Sequence, residues 1–427
     1  MKQRLAQFLC VVSVVGVMGG QTAKGEDPAA YWPQFRGPDR NGISRETGLD
    51  DSWPEGGPEE VWRRPVGPGF SAISVVGDRF YTAYSDDAEV GEDDELTGTE
   101  FVAAFEVATG KEIWRRDVGS KLFDEFGNGP RSTPTVDGDT LFTLTGHGSI
   151  VALGTEDGRK RWEVDVKETF GSSQAVYGFS TSVLVEDGVV ITDVGGPEGK
   201  SHVGLKRETG EVLWTSGQPS RLGPGYSSVL PVDIGGRRQL IHLAGLQLRS
   251  VDTAGNEQWA IEWPRGESHS MPVFIPPDRV FASGVEGVGA TVVQVKADGD
   301  GFAVEEVWKS NVMRNHFSST LYYDDHLYGF DNATFKCVEA ATGEQKWAKR
   351  GFGKGSLIYA DGKLIVLSDR GRLALVKASP EAYREMGSVQ ALTGKSWTAP
   401  VLADGRLYLR NHTEMVSYDL RTKEIRQ

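Results

Sequence analysis

The heptapeptide ATGKEIW at residues 108–114 returns as ETGEVLW at 208–214 and as ATGEQKW at 341–347. In each copy the second and third residues are Thr-Gly, and the last residue is a tryptophan four positions after the glycine. Because glycine enters positive φ without steric cost, Gly110, Gly210 and Gly343 are predicted to form tight turns. The tryptophan that follows each turn offers a large flat surface for burial against a neighbouring element. The phrase therefore predicts a structural joint that the fold builds several times.

Tryptophans mark a longer repeat in which seven of the eleven share one position. Their spacing runs from 39 to 52 residues, and self-similarity at such a period indicates a repeat architecture: Trp62, Trp114, Trp162, Trp214, Trp259, Trp308 and Trp347. Between them recur stretches such as RSTPTVDGDTLFTLTGHGSIVAL at 131–153, in which Asp-Gly is flanked by alternating hydrophobic residues. This is a strong β-hairpin signal. Each unit is thus predicted to hold three hairpin-linked strands and a fourth, tryptophan-bearing strand.

Four antiparallel strands at this period are typical of a β-propeller blade. The start of the innermost strand is counted eight times, at Ser71, Ser132, Ser180, Ser227, Ser270, Ser318, Ser356 and Thr398. We predict an all-β fold, an eight-bladed β-propeller of four-stranded antiparallel blades over residues 59–427, with seven blades as the fallback. One tryptophan phrase is degenerate and reads YREM at 383–386. Residues 60–66 are expected to complete the final blade and close the ring.

The N-terminus has the pattern of an export signal. Lys2 and Arg4 precede an apolar run at 5–20, and small residues stand at Ala23 and Gly25. We predict a signal peptide at 1–25, an N-terminal extension at 26–58 and a periplasmic or extracellular destination. A membrane anchor is the alternative, although the apolar run is short for a bilayer. No later segment is predicted to span a membrane, and we expect a monomer. The net charge of −14 argues against nucleic-acid partners.

The repeated tryptophan-docking phrase resembles that of the PQQ-like (pyrrolo-quinoline quinone repeat) β-propeller family. Residues 31–42, YWPQFRGPDRNG, and residues 53–58, WPEGGP, are similar to the leader of exported bacterial members. The resemblance implies one of two functional kinds. Quinoprotein dehydrogenases hold PQQ and Ca²⁺ on the propeller axis, whereas non-catalytic members include the propeller scaffold of the outer-membrane barrel-assembly machine. The repeat itself is shared by both kinds.

The dehydrogenase kind usually carries a vicinal Cys-Cys disulfide, which this chain lacks, because Cys10 and Cys337 are its only cysteines. No convincing counterpart of the Ca²⁺ ligands or of the catalytic aspartate is found. We therefore predict no catalytic residues, no metal site and no cofactor, with PQQ and Ca²⁺ as the alternative. The acidic segment 86–95 is expected to be a solvated loop.

A ring of residues before the innermost strands is predicted at one mouth of the central channel: Phe70, Arg131, Phe179, Tyr226, His269, Phe317, Gly355 and Trp397. We expect these side chains to plug the channel; alternatively, they bind a planar acidic ligand or an extended peptide. The candidate contacts are Arg131, His269, Asn315 and Trp397. His269 and His316 are expected close together in adjacent blades.

These observations favour a non-catalytic exported scaffold that binds protein or peptide partners in the cell envelope. Two alternatives stay open. One is a divergent PQQ- and Ca²⁺-dependent dehydrogenase, and the other is a carbohydrate-binding or sensor module, which a ring of aromatic residues would also suit.

Overall fold

The computed structural model describes residues 31–87, 89–90, 96–218, 223–244, 246–264, 268–285 and 287–425. The predicted signal peptide and most of the acidic segment 86–95 lie outside these residues. Eight four-stranded antiparallel units follow one another along the chain, which confirms the eight-bladed propeller. The described residues contain one α-helix, Val166–Phe170, after the outer strand of blade two. It is far too short to cross a bilayer, and no other described segment is a membrane-spanning helix.

The blades are given from their innermost to their outer strand. Blades one to four are formed by Ser74–Val76, Arg79–Ser85, Thr99–Glu106 and Glu112–Ser120; Thr135–Asp137, Thr140–Leu144, Ser149–Gly154 and Lys160–Asp165; Leu184–Glu186, Val189–Gly196, Lys200–Lys206 and Val212–Ser216; and Leu230–Ile234, Arg237–Ala244, Gln247–Val251 and Glu257–Glu262. Blades five to eight are formed by Val273–Ile275, Arg279–Gly284, Gly289–Asp298 and Gly301–Ser310; Leu321–Tyr323, His326–Asp331, Thr334–Glu339 and Gln345–Lys349; Ser356–Ala360, Lys363–Leu367, Arg372–Lys377 and Glu385–Gln390; and Val401–Ala403, Arg406–Arg410, Glu414–Asp419 and Glu59–Pro65. Three short strands complete the list: Tyr31–Trp32 on the inner edge of blade one, and the pair Glu89–Val90 and Leu96–Thr97.

The ring closes as expected, because Glu59–Pro65 pairs with Glu414–Asp419 of blade eight. The predicted starts of the innermost strands are wrong in seven blades, because only Ser356 is the first residue of its strand; Ser71, for example, precedes its strand by three residues. Small hydroxyl residues just before these strands form hydrogen bonds between neighbouring blades. Their side-chain oxygens accept backbone N–H groups of the preceding blade at 2.9–3.0 Å: Thr133 from Ala72, Ser182 from Thr133, Ser228 from Ser182, and Ser319 from Met271.

The repeated tryptophan is a joint between blades. In six of the seven copies the indole N–H donates to a backbone carbonyl of the next blade at 2.8–3.0 Å: Trp62 to Val107, Trp114 to Thr155, Trp162 to Arg207, Trp214 to Thr253, Trp308 to Ala340 and Trp347 to Ser379. Trp259 instead donates to Gln239 Oε1 of its own blade at 2.6 Å. Each Thr-Gly turn lies against the indole of the preceding blade, Gly110 on Trp62, Gly210 on Trp162 and Gly343 on Trp308.

Blade seven lacks this tryptophan, and Trp53 of the N-terminal extension packs at the vacant position, although its indole N–H has no hydrogen-bond partner in the described structure. Cross-strand pairing places Gly387 opposite Leu375, at the position that tryptophan holds in the other blades. Trp53 lies against this glycine: its Cβ is 2.7 Å from where a side chain on Gly387 would begin. Its backbone N–H donates to the Met386 carbonyl at 3.1 Å, and its indole is buried. The degenerate YREM phrase is therefore compensated from a distant part of the sequence.

The extension also crosses the central channel. Trp32 and Arg40 are almost fully buried there. Residues 32–44 bond the backbone of five blades, through the pairs Trp32 with Val75, Pro33 with Val136, Arg40 with Ser182 and Val183, Arg36 with Ser319 and Thr320, and Ser44 with Tyr359. A segment held by blades one, two, three, six and seven closes the channel between them.

Substituting Gly110 by Ala is expected to destabilise the protein more than substituting Gly77 by Ala. Both glycines have positive φ, +67° and +62°, which costs an L-residue about 1 kcal/mol. A Cβ at Gly110 would also lie 2.7 Å from the Trp62 ring, whereas nothing lies within 4 Å at Gly77. We expect this overpacking to add about 1–3 kcal/mol, measured by urea unfolding. Equal losses at the two positions would contradict the joint described above.

Candidate functional site

A cavity of about 280 Å³ opens at the channel mouth that the sequence predicted. Phe35 and Arg36 of the extension form part of its lining, so the segment that closes the channel is also its floor. Serine side chains from several blades surround it: Ser180, Ser182, Ser228, Ser318, Ser319 and Ser356. The predicted ring therefore lines a cavity and does not fill the mouth; the N-terminal extension is the plug.

Aromatic rings form an unbroken circle around this cavity, which we call the aromatic belt. Neighbouring ring centroids are 4.7–6.5 Å apart along the order Trp397, Phe126, Tyr177, Tyr226, His269, His316, Phe317 and back to Trp397. Phe70 also stacks on Trp397 at 5.7 Å. Rings at these distances stabilise one another and present flat apolar surface to whatever enters.

Six of the eight ring positions line the cavity: Phe70, Arg131, Tyr226, His269, Phe317 and Trp397. Phe179 does not, because in every blade except blade seven the lining position precedes the innermost strand by four residues, and in blade three that residue is Ser180. Phe179 is instead buried in the core beside Val166. Gly355 has no side chain, and the next residue, Ser356, contacts the cavity in its place.

Asn315 is placed outside the cavity. Its side chain is fully buried, donates to the Phe330 carbonyl and accepts from the Thr320 hydroxyl, both at 3.0 Å. His316 next to it does line the cavity and stacks on His269 at 5.6 Å, close together as expected. Sequence reasoning missed Phe126 and Tyr177, because they stand in loops between blades where no repeat marks a position.

Arg131 is held in the cavity wall by several contacts. Its guanidinium lies 3.2 Å from an Asp124 carboxylate oxygen and 5.0 Å from the Phe70 ring centre. Burial lowers the pKa of Arg131, while the neighbouring carboxylate acts in the opposite direction. This ion pair fixes Arg131 in place and offsets its charge.

In the part of the chain that the structure describes, the other cations near the cavity form no ion pair. Arg36 is buried and donates only to backbone carbonyls, and burial lowers its pKa to about 10, so it is still charged at neutral pH. Lys395 donates to the Phe126 carbonyl at 2.6 Å and lies 4.5 Å from the Trp397 ring centre. Burial, followed by the charge of Lys354, lowers the pKa of His316 to about 4. Burial also lowers the pKa of His269 to about 4, so the two stacked histidines are neutral at pH 7. Positive charge therefore lies near the mouth on the arginine and lysine side chains.

Comparison with known proteins assigns the chain to a family. The family model described as outer membrane protein assembly factor BamB matches residues 98–349, more than half of the chain. The chain belongs to this family of PQQ-like repeat propellers, which confirms the resemblance seen in its sequence. The comparison with curated protein sequences gave no match.

Solved structures share the fold at low sequence identity. BamB from Moraxella catarrhalis is 14% identical with a TM-score of 0.58, over 84% of this chain and 99% of that one. Quinohemoprotein alcohol dehydrogenase from Comamonas testosteroni is 12% identical with a TM-score of 0.57, over 92% and 81%. The computationally designed Ika8 protein is 11% identical with a TM-score of 0.57, over 84% and 99%. At such identities the likeness concerns the fold alone.

The cavity was tested for the PQQ and Ca²⁺ that the sequence resemblance left as an alternative. Calcium takes six to eight oxygen ligands, several of them usually carboxylates. The described lining has one carboxylate, Asp124, and it is engaged by Arg131. Among the residues that the structure describes, no three His, Cys, Asp or Glu side chains are grouped to hold a metal ion. The residues present do not fit calcium beside a quinone at this place.

Proposed function

We propose that this protein is a non-catalytic scaffold of the cell envelope, which binds a partner protein by seating a peptide segment in the cavity. The observation that carries the proposal is the aromatic belt around a pocket closed below by Phe35 and Arg36. Membership in the family of an outer-membrane protein assembly factor supports a protein as the partner. The poor fit of the lining to calcium makes a quinone-dependent enzyme the weaker alternative.

The dimensions of the cavity favour a small part of a polypeptide. At about 280 Å³ it lies just below the range for small-molecule pockets, roughly 300–1,000 Å³. One or two side chains therefore fill it. At the rim, Phe126 is 43% exposed and Val176, next to Tyr177 of the belt, is 63% exposed. Exposed apolar residues next to a pocket extend the surface on which the rest of the segment lies.

Trp397→Ala is expected to weaken peptide binding at least tenfold. The indole stacks on both Phe70 and Phe317, so its loss opens the belt and removes a ring face from the ligand. The ligands are obtained by displaying random peptides to purified residues 26–427, and affinities are measured by calorimetry. Leu213→Ala is the matched control, because Leu213 is an exposed apolar residue on the outer strand of blade three.

Two results would overturn the proposal. One is a library that yields no binding peptide. The other is a set of peptides that bind the Trp397→Ala protein and the parent equally. A glycan array with the same proteins tests the carbohydrate-binding alternative, and glycan binding without peptide binding would establish that alternative instead.

Export is part of the proposal and has its own test. The charged, apolar and small-residue pattern of residues 1–25 supports it. When the full chain is expressed in a Gram-negative host, the mature protein is expected in the periplasmic fraction with Glu26 as its first residue. A cytoplasmic protein that keeps residues 1–25 would contradict this.

A further inference from the structure

We infer that the cavity recognises the carboxyl terminus of a partner polypeptide whose last residue is aromatic. This inference rests on the proposed peptide-binding function and names the chemistry of the peptide. It follows from three independent properties of the site: its charge, its closed end and its aromatic wall.

The charge of the site is opposite to that of the protein. The chain carries a net charge of −14. Yet Arg36, Lys354 and Lys395, all at or near the cavity, form no ion pair with any carboxylate in the described part of the chain. Asp369 lies beside Lys354 and accepts its backbone N–H at 3.3 Å. The remaining excess of positive charge favours an anionic ligand and disfavours a cationic one, although an aromatic belt by itself would suit a cation. The ligand is therefore expected to bring a negative charge.

The closed end of the channel favours a chain terminus. The extension is bonded to five blades beneath the cavity, and Phe35 and Arg36 form its floor. A polypeptide that enters from the mouth cannot continue through the channel. A terminal residue places its side chain and its carboxylate in the cavity together, whereas an internal acidic segment would have to fold back within about 280 Å³.

The aromatic belt favours an aromatic side chain next to the carboxylate of the ligand. Seven rings surround the site, and a flat aromatic ring can stack on them or meet them edge-on. An aromatic residue with a free carboxylate thus matches both the aromatic wall and the cations near the mouth.

The test compares N-acetylated Gly-Ser-Gly-Ser-Phe as the free acid and as the C-terminal amide, titrated into residues 26–427. We expect the amide to bind at least tenfold more weakly. The double substitution Lys354→Gln and Lys395→Gln should weaken binding of the acid by a similar factor and binding of the amide much less. Lys111→Gln is the matched control, since Lys111 is an exposed lysine of the first Thr-Gly turn.

The outcomes separate this inference from the proposed function. If acid and amide bind equally and both are lost in Trp397→Ala, peptide binding stands and the role of the carboxylate is wrong. If the same peptide ending in Ala binds as well as the one ending in Phe, the aromatic requirement is wrong. If N-acetylphenylalanine binds as tightly as the pentapeptide, the ligand is a small aromatic carboxylate and the polypeptide is wrong. If neither pentapeptide binds although library peptides do, this inference is wrong while the proposed peptide binding stands.

Discussion

Deletion of residues 26–58 is expected to lower the free energy of unfolding by roughly 5–9 kcal/mol. The deletion removes three large side chains that are at least nine-tenths buried, Trp32, Leu49 and Trp53. Complete burial of a side chain of this kind is worth about 1.5–3 kcal/mol relative to exposure. It leaves Glu59–Pro65, so the strand that closes blade eight is retained. The melting temperature and urea midpoint of residues 59–427 measure the effect against residues 26–427.

A point variant separates the tryptophan of blade seven from the rest of the extension. Trp53→Ala is expected to cost about 3–5 kcal/mol, the usual range for a buried tryptophan. Trp347→Ala removes a repeat tryptophan of similar burial and serves as the comparison. If Trp53→Ala is neutral while Trp347→Ala is strongly destabilising, the extension does not supply the eighth joint. A deletion that melts within a few degrees of the parent would contradict its structural role altogether.

Acidification from pH 7 to 4.5 is expected to destabilise the protein by several kcal/mol. His202 and His242 face each other between blades three and four with ring centroids 3.9 Å apart, and both are buried. Burial lowers the pKa of His242 to about 3 and that of His202 well below its usual value, and the charge of Arg249 adds to both effects. Burial also lowers the pKa values of His269, His316 and His412 to about 4.

The sign follows from proton binding. Below about pH 6.5 the unfolded chain protonates these histidines while the folded protein keeps them neutral, so stability is lost as the pH falls. Asp193, which lies 3.3 Å from His202, acts in the opposite sense. Burial raises its pKa to about 7, so the folded state takes up a proton there as the pH falls. Burial also raises the pKa values of Glu46 and Glu100, which act in the same sense as Asp193. These three carboxyls offset part of the effect of the five histidines, and the net change is a loss.

The pH dependence is measured by urea unfolding at constant ionic strength. We expect His242→Gln to flatten the curve of stability against pH, because it removes one of the groups that resist protonation. His326→Gln, at a partly exposed position of blade six, is the control and should leave the slope unchanged. A parent protein that is equally stable at both pH values would show that these rings are not held neutral in the folded state.

The blade architecture was predictable from the sequence because its signals are local and repeated. A Thr-Gly turn, an Asp-Gly hairpin and a tryptophan strand each depend on a few neighbouring residues, and eight units repeat the pattern. The ring position before each innermost strand was predicted for the same reason, and six of its eight residues line the cavity. The one-residue shift at Phe179 arose because a local phrase does not fix strand register to the last residue.

The cavity depended on contacts that no local pattern reveals. Phe126 and Tyr177 reach the belt from loops outside the repeat, and the predicted contact Asn315 is used inside its own blade. The extension looked like a family leader, yet its path through the channel depends on hydrogen bonds from Arg36 and Arg40 to blades six and three, about 140–280 residues away in sequence. Trp53 of the extension packs against Gly387, and only the assembled ring shows that this glycine stands where the other blades have a tryptophan.

By itself, the sequence determined the all-β class, the eight-blade count and the strand that closes the ring, because these follow from short repeated patterns and from hydrophobic alternation. Only the tertiary structure decided that the channel is closed by residues 32–44, that its open mouth is ringed by seven aromatic side chains, and that unpaired cations gather there. The physical reason is that packing, burial and charge pairing are properties of groups brought together across the ring, and their separation along the chain does not encode their distance in space.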